Sequence, residues 1–367
     1  MKIEKVEIRH IKLKLISPFV TSKGTETHQE HLIISVTSEG LTGWGECVAG
    51  QHPFYTYETV FTSRYITSEY LIPSILHKDL SKISDAHILW KDVQGHPMAK
   101  AGVEAALTDV FAKSQNISLA KYFGGEKKKI DVGVSIGLQS SSGVLLKKID
   151  AYLNGGYKRI KVKIERGNDF KLLEAVRKVY PDILLQVDAN SAYTLKDISL
   201  LKQFDDFNLL LIEQPFAADD LVDHAQLQAE MKTPICLDES ISSLASTKAA
   251  FELKSCQTIN IKPGRVGGFT EAIGIHDYCR EKNIPVWHGG MLESGIGRAG
   301  NIALASLANF TLPADISASS RYYEFDIVEP EFVPNSDGTI DVPSKAGIGV
   351  EISLEKLDKV TQQKIVY

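Results

Sequence analysis

Cysteine is scarce in this chain of 367 residues, which holds only Cys47, Cys236, Cys256 and Cys279. No two of them form a CxxC pair, and their spacing matches no zinc module. A chain with this much core needs no disulfide framework, so the four read as buried thiols in a reducing cytoplasm. Long apolar runs are missing as well. The longest are strand-sized, such as Leu209 to Ile212, far below the roughly 20 residues a membrane span needs. Positive charge is not in excess: 41 Lys and Arg stand against 46 Asp and Glu, interspersed, so no basic stripe points to nucleic acid. The opening MKIEKVEIRHIKLKL alternates charged and apolar residues like a strand, without the apolar centre and cleavage site of a signal peptide. No low-complexity linker divides the chain.

What is present is ordinary globular composition, 43% hydrophobic and 24% charged, at a length that suggests about two domains. Early on, two alternating strands (3–16 and 31–37) lead to Leu41-Thr-Gly-Trp-Gly-Glu46 and then to helical stretches. The clearest helix is 99–113, with Val103, Ala106, Leu107 and Val110 at helical spacing. From about residue 130 the pattern becomes strict strand–helix alternation. Eight short apolar strands are expected at 131–136, 159–164, 184–189, 209–214, 234–239, 258–263, 284–288 and 315–318. Amphipathic helices fall between them, for example 169–179 and 269–282. Strands without alternation suit a parallel sheet covered on both faces, and eight such units at this length suit a barrel. The tail returns to strand-like patterning. The expected organisation is an α/β protein: a (β/α)7β TIM-like barrel over 129–321, and an α+β capping domain over 1–128 completed by 322–367.

Four barrel strands end in a charged residue. Asp188, Glu213, Asp238 and Lys262 recur at intervals of about 25 residues, the length of one strand, one helix and two short loops. A lone Asp after a strand commonly caps the next helix. Three carboxylates at one height on neighbouring strands are instead costly without a cation. A hard divalent ion with oxygen ligands removes the conflict, and Mg2+ is the expected one, with Mn2+ as a substitute. Lys161 and Lys163 lie two apart on the second strand and so share a face. The second and sixth strands are on opposite sides of such a barrel, which sets Lys163 and Lys262 across a pocket from each other. That arrangement suits removal of a proton beside a carboxylate, with the metal stabilising the enediolate. A lysine acting as base must have its pKa lowered, for which Mg2+ and Lys161 are the nearby cations.

KVK, VDAN, IEQP, LDES and NIKPGRVGG, in this order and spacing, resemble the enolase superfamily, most of all its muconate-lactonizing branch with lysines on both sides. The likeness covers nearly the whole chain. Sites of that superfamily pair a Lys or His base with Mg2+. Within the branch, Ser17-Pro-Phe-Val-Thr-Ser-Lys-Gly-Thr25, Pro53-Phe-Tyr-Thr56, Val134-Ser-Ile-Gly137 and Gly289-Gly-Met-Leu-Glu-Ser-Gly295 are similar to the o-succinylbenzoate synthase family, whose members also racemise N-acylamino acids.

The resemblance implies Lys163 as base, Lys262 as the opposite lysine and Lys161 beside them, with Asp188, Glu213 and Asp238 as metal ligands. Asn190, Glu239 and Arg265 would support these groups, and Ser135, Met291, Leu292, Glu293, Phe19, Thr21 and Phe54 would meet the substrate. It implies Mg2+-dependent dehydration of 2-succinyl-6-hydroxy-2,4-cyclohexadiene-1-carboxylate in menaquinone synthesis, with racemisation of N-acylamino acids as the companion reaction. A small carboxylate would be the partner, in a homo-oligomer. The chain departs from the family at Lys23, where the first cap loop usually carries an aromatic residue. Arg265 is expected to depress Lys262, and the alternative is a surface arginine at a helix start.

Other readings are weaker. Gly295-Ile-Gly-Arg-Ala-Gly300 matches GxGxxG, but a dinucleotide fold needs a strand running straight into the glycines, and here Met-Leu-Glu-Ser intervenes. The amides from Met291 to Gly295 are instead expected to hold the substrate's distal carboxylate. Phe19, Phe54, Tyr55 and Tyr57 fall in the two cap loops and suit a ring-bearing substrate. His52, His96 and His288 have no evident carboxylate partner, and Lys262 argues against a mandelate-type His–Asp base. A muconate-type cycloisomerase or a dipeptide epimerase would share the metal and both lysines. A binding protein on an inactive barrel would have lost some of them.

Overall fold

The computed structural model describes residues 1–21, 24–167 and 169–367; Lys23 lies outside the described residues, as does the side chain of Thr21. A four-stranded antiparallel sheet forms from Lys5–Thr21, Gly24–Ser38, Leu41–Cys47 and, from the far end of the chain, Thr361–Val366, which pairs with the first strand. The alternation seen in the sequence is real here: Ile11, Leu13 and Leu15 are buried while Lys12, Lys14 and Ile16 are exposed. The first hairpin is longer than the expected strands and absorbs the expected first cap loop, with Phe19 opposite Glu26 and Thr21 opposite Gly24. Its register shifts between Lys14 and Phe19, a stretch that includes Pro18, which has no N–H to give to a ladder.

Helix Pro97–Ser114 packs on the third strand of this sheet. Its N-terminal proline fits the first turn, where the missing N–H costs nothing. Glycines allow the approach: a Cβ on Gly43 would lie 2.1 Å from the Ala106 carbonyl oxygen, and one on Gly45 2.3 Å from that of Gly102.

Seven parallel strands follow in sequence order: Gly133–Ile136, Arg159–Lys163, Leu184–Asp188, Ile212–Glu213, Ile235–Leu237, Thr258–Ile261 and Val286–His288. Their side chains are nearly all buried, as the unalternating patterns require. The expected eighth strand at 315–318 is not a regular strand. Backbone bonds at 314–315 close the barrel instead: Ala314 donates to the Asp131 carbonyl at 2.9 Å, Gly133 to that of Ala314 at 2.7 Å, and Asp315 to that of His288 at 2.8 Å. On the other side of Pro313 the chain keeps to the last strand, Thr311 donating to the Val286 carbonyl at 3.1 Å. Helices Asp169–Val179 and Phe269–Glu281 fall where the periodicity places them. No helix among the described residues is long and apolar enough to cross a membrane.

Arg159, Lys161 and Lys163 rise up one strand on a single inward face, all buried. The Trp287 ring lies against the lower two, 5.1 Å from the Arg159 guanidinium and 5.1 Å from the Lys161 ammonium.

Candidate active site

At the C-terminal ends of these strands the charged side chains meet. Lys163 is level with Asp188, and Asp188 with Glu213. Asp238 stands one same-face step above Cys236, the residue level with Glu213, so the three carboxylates climb with the stagger of the barrel. All three are buried to 1% exposure or less, which makes their charges expensive unless they are paired.

Lysines provide the pairing. Lys161 Nζ bridges Asp188 Oδ2 at 3.0 Å and Glu213 Oε2 at 2.8 Å, with Asp315 Oδ2 at 3.7 Å. Lys163 Nζ donates to Asp188 Oδ2 and to Asn190 Oδ1, each at 2.6 Å. Lys262 Nζ donates to Asp238 Oδ2 at 2.8 Å. Lys163 thus leans on the third strand and Lys262 on the fifth, with Glu213 between.

The electrostatics follow from the geometry. Burial pulls the Lys161 pKa down, but Asp188, Glu213 and Asp315 outweigh it and hold the group well above its ordinary range. Lys262 is likewise raised: burial works against the charge, while Asp238 and then Tyr55 prevail. Arg265 pulls Lys262 down, as the sequence suggested, but by less than Asp238 pushes it up. Burial and the charge of Asp188 push Glu213 up to about 7; Lys161 pulls the other way and Asp238 adds to the rise. Asp188 and Asp238 stay low, because their cations overcome burial.

Arg265 is no surface residue. It is 1% exposed, its guanidinium pairs with Asp238 and with the Asn260 carbonyl, and its Nε donates to the Ile241 carbonyl at 2.7 Å. Asn190 donates its backbone N–H to Asp188 Oδ1 at 2.9 Å and its side-chain amide to Glu239 Oε1 at 3.3 Å, which ties Glu239 to the row of carboxylates.

The cavity above has a volume of about 200 Å³, and Lys161, Lys163, Asp238 and Lys262 open into it. Ser135 lines it with a buried hydroxyl that has no partner among the described residues. Phe19, Met291, Leu292 and Glu293 line it too. Phe54 sits at its mouth, 57% exposed and stacked on His52. Of the five amides expected to hold a distal carboxylate, three are engaged: Met291 N–H donates to Glu293, Ser294 N–H to Glu46 and Gly295 N–H to Asp326. His96 Nδ1 lies 3.8 Å from Glu58, and His288 is buried with neither ring nitrogen bonded among the described residues.

Several residues of the site escaped the sequence reading. Asn260 donates to Glu213 Oε1 at 2.9 Å, and Gln186 lies 3.5 Å from Glu213 Oε2. Both stand two residues before a charged strand end, and the step that pairs Lys161 with Lys163 would have found them. Tyr55 was noticed as a ring only. Its hydroxyl donates to Asp238 Oδ1 at 2.8 Å and accepts from Lys262 at 3.0 Å, while its ring lies 4.6 Å from that ammonium. Asp315 and Glu58, two more carboxylates lining the cavity, had no sequence signal.

A divalent ion fits this donor set. Three oxygen-bearing anions lie in a row, and the central one is driven towards protonation by burial and by the charges of the other two. Among the described residues no three such groups are gathered at ligating distance, since each carboxylate is turned onto a lysine.

Residues 145–357 match the family described as enolase C-terminal domain-like, and residues 3–124 match the mandelate racemase / muconate lactonizing enzyme N-terminal domain. The chain is 47% identical to an o-succinylbenzoate synthase from Geobacillus kaustophilus, over 99% of this chain and 96% of that one. It is 44% identical to an N-succinylamino acid racemase from an Amycolatopsis species, over 100% and 99%. A crystal structure of an enolase-superfamily member from Listeria innocua superposes with a TM-score of 0.96 at 44% identity, covering 100% of this chain and 99% of the other.

Proposed function

The chain belongs to the enolase superfamily, and from that premise we propose that it makes o-succinylbenzoate by dehydrating 2-succinyl-6-hydroxy-2,4-cyclohexadiene-1-carboxylate, a step of menaquinone synthesis. The observation that carries the reading is the pair of buried lysines flanking one row of carboxylates, Lys163 beside Asp188 and Lys262 beside Asp238. Relatives spanning the whole chain carry the names of the dehydration and of the racemisation.

In this mechanism Asp188, Glu213 and Asp238 would hold Mg2+, and Mn2+ would suit the same oxygens. Once bound, the ion supplies positive charge where the enediolate oxygens develop. Lys163 Nζ, as the base, takes the proton beside the substrate carboxylate, and the electron pair moves into the enediolate. The same nitrogen, now an ammonium, returns that proton to the departing hydroxyl on the same face. Water leaves as the ring becomes aromatic. Lys262, held by Asp238 and Tyr55, stays protonated opposite and stabilises the enediolate's charge. Racemisation of an N-succinylamino acid needs the same first step and then a proton from Lys262 on the other face. Ser135 and the rings of Phe19 and Phe54 line the space for the substrate body.

The same reading assigns residues 1–128 with 322–367 to the cap and 129–321 to the barrel, supported by the pairing of Thr361–Val366 with the first strand. Assembly into a homo-oligomer draws support from exposed Phe61, Tyr65 and Tyr70 on the cap. Four free, buried cysteines suit a reducing cytoplasm.

The test is turnover of the cyclohexadiene carboxylate with Mg2+, run beside deuterium exchange at the α-carbon of N-succinylphenylalanine. Fast dehydration establishes the proposal. Exchange with little dehydration makes racemisation the main reaction, and inactivity towards both refutes the two together.

A further inference from the structure

The helix Gly295–Ala305 starts directly behind the loop that carries Met291 and Leu292 into the cavity. Its first turn leaves backbone N–H groups to be satisfied, and carboxylates from three separate parts of the chain meet there. Glu293 belongs to the loop and accepts from Met291 N–H at 2.9 Å and from Asn301 at 2.7 Å. Asp326, beyond the barrel, accepts from Gly295 N–H at 2.8 Å. The third, Glu46, comes from the cap strand Leu41–Cys47.

Glu46 is fully engaged. Oε1 accepts from His31 Nδ1 at 2.7 Å and from Ser294 N–H at 3.0 Å; Oε2 accepts from the Ser294 hydroxyl at 2.7 Å and from Gly297 N–H at 2.8 Å. Its side chain has no solvent exposure. Burial works against the charge, but His31 and Ser294 outweigh it and keep the group ionised. The approach is close enough that a Cβ on Gly297 would lie 2.8 Å from Glu46 Oε2. Two residues before Ser294, Leu292 takes a left-handed φ of 59°, which a bulky side chain adopts only where its surroundings enforce it. Tyr323 holds the Leu292 carbonyl, and Arg298 holds that of Glu293 at 2.7 Å.

We propose that Glu46 is a positioning residue of the substrate pocket: by gripping the start of this helix from the cap, it sets where Met291 and Leu292 stand. Cap docking and pocket shape are then one event. Asp326 and Tyr323, from the C-terminal part of the cap, hold the same helix start and loop, and Glu46 is the grip that the N-terminal part supplies; Glu46 is not among the residues that line the cavity. The inference rests on the reading of the barrel mouth as the active site.

Glu46→Gln tests it, because the amide sets an NH2 donor in place of one carboxylate oxygen, against the N–H of Ser294 or of Gly297. The expected result is a rise in KM of about tenfold with kcat within about threefold of wild type, the signature of lost ground-state and transition-state binding together. Affinity for Mg2+ alone should not change, since its ligands lie on other strands. Ser294→Ala keeps both amide bonds to Glu46, serves if Glu46→Gln does not fold, and should raise KM by a smaller factor. An unchanged KM in whichever of the two folds, with only thermal stability lowered, would overturn the proposal. Amide exchange across residues 289–293 needs no substrate. In Glu46→Gln, exchange there faster than in wild type is expected, with the barrel strands unchanged, and exchange unchanged from wild type would refute the coupling even if the proposed reaction itself were wrong.

Discussion

Arg265 shows how much a single side chain can settle at this site. Its guanidinium is shared between Asp238 and the Tyr55 hydroxyl, both of which also touch Lys262. Arg265→Gln therefore disturbs the Lys262 side of the pocket and spares Lys163. Racemisation, which needs proton transfer at Lys262, should fall by at least about tenfold more than dehydration, where Lys262 only keeps its charge; parallel assays of the two reactions give the answer, and equal losses would contradict it. Glu58 makes a different prediction. It is 2% exposed, accepts from Met98 N–H at 2.7 Å at the start of helix Pro97–Ser114, and burial pushes it from 4.5 up to about 7. The folded protein thus holds this proton more tightly than the unfolded chain. Its contribution to stability is complete below pH 4.5, falls as pH rises, and is lost beyond about 7. Glu58→Gln carries no such titration, so between pH 5 and pH 8 its stability relative to wild type should improve by roughly 2–3 kcal/mol, measured by urea unfolding. The two residues differ in legibility. Arg265 stands in a motif and could be singled out, whereas Glu58 follows an unpatterned loop and gains its setting only when the long helix docks on it.

The contact between helix Pro97–Ser114 and strand Leu41–Cys47 depends on what is missing from three side chains. Gly43 and Gly45 on the strand, and Gly102 on the helix, have no room for a methyl group. Gly45→Ala would set a Cβ 2.5 Å from the Ala106 nitrogen, and neither backbone can yield without moving the element. A loss of about 1–3 kcal/mol is expected, seen as a lower midpoint in thermal unfolding, whereas Gly50→Ala, with open space around it, should be near neutral. Elements with a strong period were legible: the helices at 99–113, 169–179 and 269–282 and the inner strands appear within a few residues. Elements whose limits are set by partners were not. The strand expected at 209–214 is reduced to Ile212–Glu213, and the first cap loop is drawn into a hairpin, because pairing along the opposite strand satisfies its backbone. The closing segment of the barrel is decided in the same way, by which carbonyls of the first and last strands face it.

The whole molecule hides its thiols. Cys47, Cys236, Cys256 and Cys279 are free and buried, and burial raises the pKa of every one, that of Cys47 and Cys279 to about 12. The thiolate is the reactive form, so a thiol reagent at neutral pH should label none of them in the native protein and all four once denaturant unfolds it. Labelling that runs ahead of unfolding would reveal an opening that exposes the barrel wall, where Cys236 touches Trp287. At this scale the sequence is legible in its regularities, the near-constant interval between strand ends, and illegible in its long-range contacts, such as Tyr55 reaching Asp238 or Glu46 reaching Ser294. One of those contacts bears on how the protein is born. The strand Thr361–Val366 lies against Lys5–Thr21, with Val366 opposite Glu7. A ribosome delivers Lys5–Thr21 long before Thr361–Val366. The barrel between them can close while the nascent chain is still tethered, but the first strand waits with one edge bare until its neighbour emerges, and in that interval it is the part of the molecule that a chaperone has most reason to hold.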